Sequence, residues 1–537
     1  MNFIGNSMVV IRHRFVALIV LAAGWAGAAW QPLPAAKNAI ILIPDGCSQA
    51  TVTLARWYAG RPLAVDALFA GAVRTHAAGG PVTDSAAAAT ALATGHKTLA
   101  HAVGVAPPPD APLRTPDTPA EAWRPLATLL EAARRQGRAT GLAVTCPPTE
   151  ATPAGFTAHA VSRKAADAIG MQLAHQGFDV ILGGGRDALL PAAGLRDTLR
   201  ARGYELAETR DALAAARGPR VWGAFADGSL APQADIVETN PGQPTLAEMT
   251  RRAIDLLRAN PRGFVLLVEG SLIDWCSHAN DAFGAATEFL AFDEAVRAAL
   301  AFAAQDRQTL VVACPDHDTG GLALGSRVDP YTDTPDSWLA PLRRMRLTAM
   351  GIERKLAGDT SRANLAAHVR AWWGIALTPE QAGELDTLVN VKRYRPSFAL
   401  GDLVSRHCLQ LAWASFDHTG EDMPLWSYGP GRPVGTVDNT DVARAVAAAL
   451  RLDLAAATRE LFVDASTLDA AAAVDGDTPG GPALRLGRAR IPINRDLLFL
   501  NGREHRLGGV VVHIAETGKT YLPRLPPALL AEALADD

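Results

Sequence analysis

Ala39-Ile40-Ile41-Leu42-Ile43-Pro44-Asp45-Gly46 is an apolar run that stops on a proline, an acid and a glycine. A short unbroken apolar run closed by Pro or Gly reads as a strand buried on both faces, the kind found in a parallel sheet. Its acid then stands at the carboxyl end of the strand. The pattern recurs along the chain. Gly263-Phe264-Val265-Leu266-Leu267-Val268 ends in Glu269 and is followed by Asp274 and His278. Thr309-Leu310-Val311-Val312-Ala313 leads into Asp316-His317-Asp318-Thr319-Gly320-Gly321, and Leu409-Gln410-Leu411-Ala412-Trp413-Ala414 into Asp417-His418-Thr419-Gly420. Ligands of open α/β sheets gather outside the carboxyl ends of the strands. Four such ends would present Asp, Glu and His to one crevice. The expected fold is therefore α/β, a doubly wound, mostly parallel central sheet flanked by helices. Carboxylate with imidazole suits zinc, and carboxylate with hydroxyl suits magnesium.

A second stretch adds a nucleophile. Val82-Thr83-Asp84-Ser85 precedes the run Ala86-Ala87-Ala88-Ala89-Thr90-Ala91-Leu92-Ala93-Thr94-Gly95. Alanine is the best helix former, so a helix should begin at or just after Ser85. A helix start offers unpaired N–H donors and positive partial charge, which favours an anion beside a serine there. Taken alone, Asp84 or Ser85 would be an ordinary N-cap. The acids and histidines behind the apolar runs make the catalytic reading the stronger one.

These pieces together resemble the alkaline phosphatases. The matching segments are IILIPDG at 40–46, VTDSAAAATALATGHKT at 82–98, EATPAGFTAHAVSR at 150–163 and DVILGGGRD at 179–187. They continue with FVLLVEGSLIDWCSH at 264–278, PDHDTGGL at 315–322 and DHTGEDMPLWSYGP at 417–430, in the family's order from about residue 38 to 450. The resemblance implies Ser85 as the nucleophile that takes the phosphoryl group. It implies Asp274, His278 and His418 on one zinc, and Asp316 and His317 on a second that activates Ser85. Asp45 would bridge that zinc and a third metal, magnesium, whose site Thr152 and Glu269 complete with Glu150 nearby. Arg163 would clamp two phosphate oxygens, as a planar guanidinium can. Two metals about 4 Å apart stabilise the entering and leaving oxygens of an in-line displacement.

The chain also departs from that family. Pro44-Asp45-Gly46-Cys47-Ser48 replaces a Gly-Asp-Gly-Met-Gly turn, Glu150 stands where relatives carry Asp or His, and Trp275 stands where some carry Lys or His. The implied activity is hydrolysis of small-molecule phosphate monoesters, with an alkaline optimum. A phosphodiesterase or sulfatase-like member of the superfamily is the alternative, and a silent binding protein of the same fold another. Sulfatases convert a Cys or Ser in a Cys/Ser-x-Pro-x-Arg context, and Ser85 has none. Intact nucleophile, arginine and metal sets argue against the silent protein.

Composition fits a large globular enzyme. Apolar residues make up 49% and charged ones 20% of the 537, which excludes a disordered chain. A net charge of −4 gives no basic face for nucleic acid, so attraction for phosphate must be local. Arg12-His13-Arg14, the apolar Phe15–Ala23 and the small residues Ala26-Gly27-Ala28-Ala29 and Ala35-Ala36 read as a secretory signal over 1–36 and a periplasmic or secreted protein. No other span reaches about 18 apolar residues, so no stable membrane span is expected. Family members are often dimers, and nothing in the sequence decides whether this chain forms a homodimer.

Residues 37–452 would be the catalytic domain, interrupted by a Pro-rich loop at Pro107–Pro125 and by an insert at about 327–400 beside the active-site mouth. Residues 453–537 read as a small β-rich extension, with Asn501-Gly502 between apolar runs as a hairpin turn. Cys47, Cys146, Cys276 and Cys314 read as small buried hydrophobes. His96, His101, His159, His175 and His368 lack a set of partner ligands and read as structural or exposed. Gly183-Gly184-Gly185-Arg186 reads as a tight turn after a strand rather than a phosphate cradle.

Overall fold

Ten strands build one central sheet: β1 (Asn38–Pro44), β2 (Phe69–Arg74), β3 (Ala139–Val144), β4 (Val180–Gly183), β5 (Glu205–Ala207), β6 (Val221–Ala224), β7 (Phe264–Gly270), β8 (Thr309–Ala313), β9 (Met423–Tyr428) and β10 (Gly435–Asp438). Their order is β10-β2-β9-β8-β1-β7-β3-β4-β6-β5. Every pairing is parallel except those of β9, which runs antiparallel to both β2 and β8. The computed structural model describes residues 35–189, 194–325, 335–409, 411–476 and 480–535. The secretory signal read over 1–36 lies outside the described residues up to residue 34, as does the start of the insert before residue 335.

The apolar runs explain the layering. Side chains alternate across a strand. Ile40 and Leu42 of β1, with Leu266 and Val268 of β7, belong to a core on one face. Ile41 and Ile43, with Val265 and Leu267, belong to a core on the other. Helices Gln49–Ala59, Leu246–Leu257 and Ala282–Asp306 supply the first core with residues such as Val52, Ile254 and Phe292. Helices Ser85–Thr94 and Asn439–Leu450 supply the second with Leu92 and Val446. With both faces covered, β1, β7 and β8 are buried along their whole lengths, as their unbroken apolar runs foretell. The fold is α/β with a large, mostly parallel sheet flanked by helices.

One expected strand is not in this sheet. Helix Pro396–Cys408 buries Leu400, Leu403 and Val404 and carries the chain to Cys408. Only Leu411–Ala412 remains extended, and it pairs with Ala323–Leu324 outside the central sheet. His418 instead sits in a two-residue strand, His418–Thr419, antiparallel to Asp318–Thr319.

The region from residue 335 to helix Pro396–Cys408 is helical, and its Leu339, Leu347, Ile352, Leu365 and Leu385 join the first core. Beyond residue 452, a five-stranded antiparallel sheet includes Leu497–Leu500 and Arg503–Arg506, which meet through the two-residue Asn501-Gly502 turn. This sheet rests on its own small core of Leu484, Ile491 and Leu498. Val510, Val512 and Tyr521 from the same region pack into the second core of the main sheet. The described residues from 35 onward form one compact unit. Among the described residues no helix is long and apolar enough to cross a membrane.

Candidate active site

Helix Ser85–Thr94 begins at Ser85, with Asp84 as its N-cap accepting from the Ala87 N–H at 3.1 Å. Asp84 therefore caps the helix and also does more. Its carboxylate accepts from the His101 N–H at 3.1 Å and from Arg163 Nη1 at 3.3 Å. The cap that fixes the helix start thus fixes the arginine beside it. Arg163 also lies 3.6 Å from Glu150.

Ser85 Oγ lies 3.0 Å from His317 Nε2. His317 follows β8, and Asp45 follows β1, which pairs with β8 in the middle of the sheet. Asp45, Asp316 and His317 form one cluster whose ligand atoms lie within 4.8 Å of one another, and all three side chains are buried. A second cluster of the same compactness joins Asp274, His278 and His418. Asp274 and His278 are four apart on helix Leu272–His278, so they share a face. The His317 and His418 rings stack at 3.7 Å, which places the two clusters side by side.

Hydrogen bonds behind these groups fix their aim. His278 Nδ1 donates to the Phe416 carbonyl, and His418 Nδ1 donates to the Thr83 carbonyl at 2.8 Å. Each leaves its Nε2 free for the cluster. Thr319 Oγ1 donates to Asp274, and the Gly46 N–H donates to Asp316 Oδ1 at 3.1 Å. Gly46 holds φ +63°, and a Cβ there would stand 2.4 Å from Asp274 Oδ1. The turn after β1 is thus packed directly against the second cluster.

The electrostatics suit cations. Asp45 Oδ1 and Asp316 Oδ2 are buried without a hydrogen-bond partner, a costly state for a carboxylate oxygen. Burial pushes the Asp45 carboxyl well above its ordinary value, and the charges of Asp316, Asp274 and Glu269 push it further. Burial, with Asp316 adding, pushes Glu269 up to about 8. Bound divalent cations would relieve this crowding, and the Asp/His donor sets are the ones zinc accepts. Thr152 Oγ1 is likewise buried without a partner, consistent with an oxygen-rich third position near Asp45 and Glu269. Glu150 is not gathered there. Its half-exposed carboxylate faces Arg163.

The family model for alkaline phosphatase matches residues 36–452. The chain belongs to the alkaline phosphatase family. It is 34% identical over 377 residues to alkaline phosphatase 4 of Bacillus subtilis, covering 68% of this chain and 76% of that protein. Alkaline phosphatase 3 of the same organism is 32% identical, with 78% and 90% covered. Among solved structures, Thermus thermophilus alkaline phosphatase superposes with a TM-score of 0.72 at 29% identity, covering 80% of this chain and 94% of that one. The protein is thus a phosphatase of a metal-dependent family.

Other sequence readings find their places. Cys47, Cys146, Cys276 and Cys314 are buried free thiols. His159 is buried against Glu131 at 3.0 Å and His175 against Asp496 at 2.7 Å, so both are structural. The Gly184 and Gly185 N–H groups donate to the Cys146 and Gly228 carbonyls, which leaves that loop no cradle for phosphate. The supporting residues Thr319, Thr83 and Phe416 went unread. Thr319 lies inside the quoted PDHDTGGL segment, but the other two act through backbone carbonyls that no side-chain pattern reports.

Proposed function

We infer that this phosphatase hydrolyses phosphate monoesters through a phosphoserine at Ser85, with two zinc ions and one magnesium, and with an alkaline optimum. Asp274, His278 and His418 would hold one zinc, and Asp45, Asp316 and His317 the other. Asp45, Thr152 and Glu269 would hold the magnesium, with Glu150 as the outlying member. Bound there, the metals supply Lewis acidity and lower the pKa of the oxygens they touch. The observation that carries the reading is Ser85 Oγ 3.0 Å from His317, itself a member of one of two adjoining donor clusters.

The remaining steps belong to the chain. Arg163, steadied by Asp84, would grip two phosphate oxygens and hold phosphorus in front of Ser85. Ser85 Oγ loses its proton and bonds to phosphorus as the ester P–O bond breaks, and the alcohol departs with a proton from solvent. Water then cleaves the Oγ–P bond, releasing phosphate and restoring the serine. Deprotonation of the nucleophile is favoured as pH rises, which supports the alkaline optimum. We read residues 37–452 as the catalytic domain, 453–537 as an extension, and 1–36 as a signal for export to the periplasm or beyond.

Ser85→Ala should lower p-nitrophenyl phosphate turnover by orders of magnitude with an unchanged circular dichroism spectrum. Acid-quenched wild-type protein should carry one phosphoryl group on Ser85 by mass spectrometry. A variant that keeps more than about a tenth of wild-type kcat would sink the nucleophile assignment. Faster hydrolysis of the bis(p-nitrophenyl) ester than of the monoester would favour a phosphodiesterase instead.

A further inference from the structure

A cavity of about 880 Å³ opens against His278, within the size range of small-molecule sites. Leu272, Trp275, Met350, Tyr394, Phe398 and Phe416 supply its apolar and aromatic wall. Met350, Tyr394 and Phe398 come from the helical region between residues 335 and 409, and Trp275 from the helix that carries Asp274 and His278. We propose that this cavity is a subsite for the leaving alcohol, selecting phosphate monoesters whose alcohol carries an aromatic ring. The proposal rests on the phosphomonoesterase reading above.

Position argues for the leaving group. Ser85 touches His317, His317 stacks on His418, and the His418 and His278 ring centroids lie 5.2 Å apart. The row therefore runs from nucleophile to cavity. In an in-line displacement the alcohol departs opposite the nucleophile, which is the cavity side. Phe416 ties the two together. Its carbonyl accepts from His278 Nδ1 while its ring forms part of the wall, so wall and ligand keep a fixed spacing.

Chemistry argues for a ring. Tyr394 meets Phe416 edge-on, with centroids 5.8 Å apart at 86°, and Phe398 lies 5.6 Å from Phe416 at 33°. Such edges and faces accept a further ring well. The charges on the wall balance, with Arg354 and Arg395 against Glu353 and Asp417. Arg395 stands 3.5 Å from Glu353 and 5.9 Å from the Phe398 ring centroid, so its charge is already answered. A second anion on the substrate gains little here, whereas a flat apolar group gains burial.

The test compares 3-phenylpropyl phosphate with propyl phosphate, whose alcohols are similarly basic. Wild-type enzyme should prefer the phenyl ester by about tenfold in kcat/KM, the scale expected from burying one ring. Tyr394→Ala, and separately Phe398→Leu, should reduce that ratio about threefold or more. A general loss of folding or metal divides out of the ratio. Calorimetric titration should show 3-phenylpropylphosphonate binding more tightly than propylphosphonate, and this difference should shrink in both variants. Hydrolysis of both esters with equal kcat/KM, or a ratio unmoved by both variants, would overturn the subsite and leave the phosphomonoesterase reading standing. Hydrolysis of neither ester would overturn that reading and the subsite with it.

Discussion

Arg163 is held by Asp84, the residue before Ser85. Arg163→Ala should raise KM for p-nitrophenyl phosphate and Ki for inorganic phosphate by about tenfold or more, since a charge-assisted bidentate contact is lost. Arg163→Lys should recover only part of that, because an ammonium cannot fork. Steady-state kinetics with phosphate inhibition checks both, and an unchanged Ki would remove Arg163 from the phosphate site. His278→Ala and His317→Ala should each lower zinc content measured by plasma emission, because each removes one of few donors to its set. Chelation should abolish activity and added zinc should restore it. Gly46→Ala should behave like a ligand mutant, since its new methyl would press on Asp274 and its backbone holds φ +63°. At this scale the sequence was legible where a side chain belongs to the gathered clusters. His317 and His418 stand in short polar groups soon after apolar runs, and Ser85 stands in one just before an alanine-rich run. The Phe416 and Thr83 carbonyls were not legible, because every residue has a carbonyl and only the fold aims one.

The helix that presents Ser85 packs against helix Ala151–Thr157 at Gly155, where an added Cβ would lie 2.7 Å from the Ala89 methyl. Gly155→Val should therefore cost about 1–3 kcal/mol by overpacking and displace the serine helix. Thermal melting and kcat should fall together, and a wild-type melting temperature would refute the tight seam. Asp84→Ala should cost about 1 kcal/mol as a lost cap, and additionally raise KM through the freed Arg163. Elements read well from sequence where both faces are buried, as in β1, β7 and β8. They read poorly at the sheet's β10-β2-β9 side. Phe69–Arg74 is built largely of Ala and Gly and is only partly buried, and Gly435–Asp438 is four residues with an exposed start, so neither carries the run of large buried side chains that marks β1, β7 and β8. The run at 409–414 misled for the opposite reason. It is mostly apolar, but its first residue, Leu409, is the C-cap of helix Pro396–Cys408, so only Leu411–Ala412 is left as a strand.

Across the whole molecule, the β-rich region after residue 452 is tied to helices Ala166–Gln176 and Leu195–Ala201 by a buried charge cluster. Arg202 Nη2 donates to Asp496 Oδ2 at 2.7 Å, and His175 lies on the same carboxylate. Burial alone would raise Asp496, but His175 and Arg202 outweigh it and hold it at about 2. A lowered carboxyl stabilises the fold above its ordinary pKa and loses that contribution as pH falls through the folded value. Burial keeps the His175 imidazole below its ordinary value, which acts in the same direction. Stability should therefore fall by about 2 kcal/mol from Asp496 between about pH 4 and pH 2. Asp496→Asn should be less stable at pH 7 and show a shallower acid slope in urea melts. The interleaving of the site has a consequence for the chain's biosynthesis. Its donors run from Asp45 to His418, and Ser85 meets His317 across 232 residues. A partly synthesised chain lacks the first set until residue 317 is made and the second until residue 418, and closing such long loops comes late in folding. Metal capture then follows the assembly of the sheet instead of nucleating it. A chain that leaves the cell unfolded would travel without its ions and take them from whichever compartment it finishes folding in.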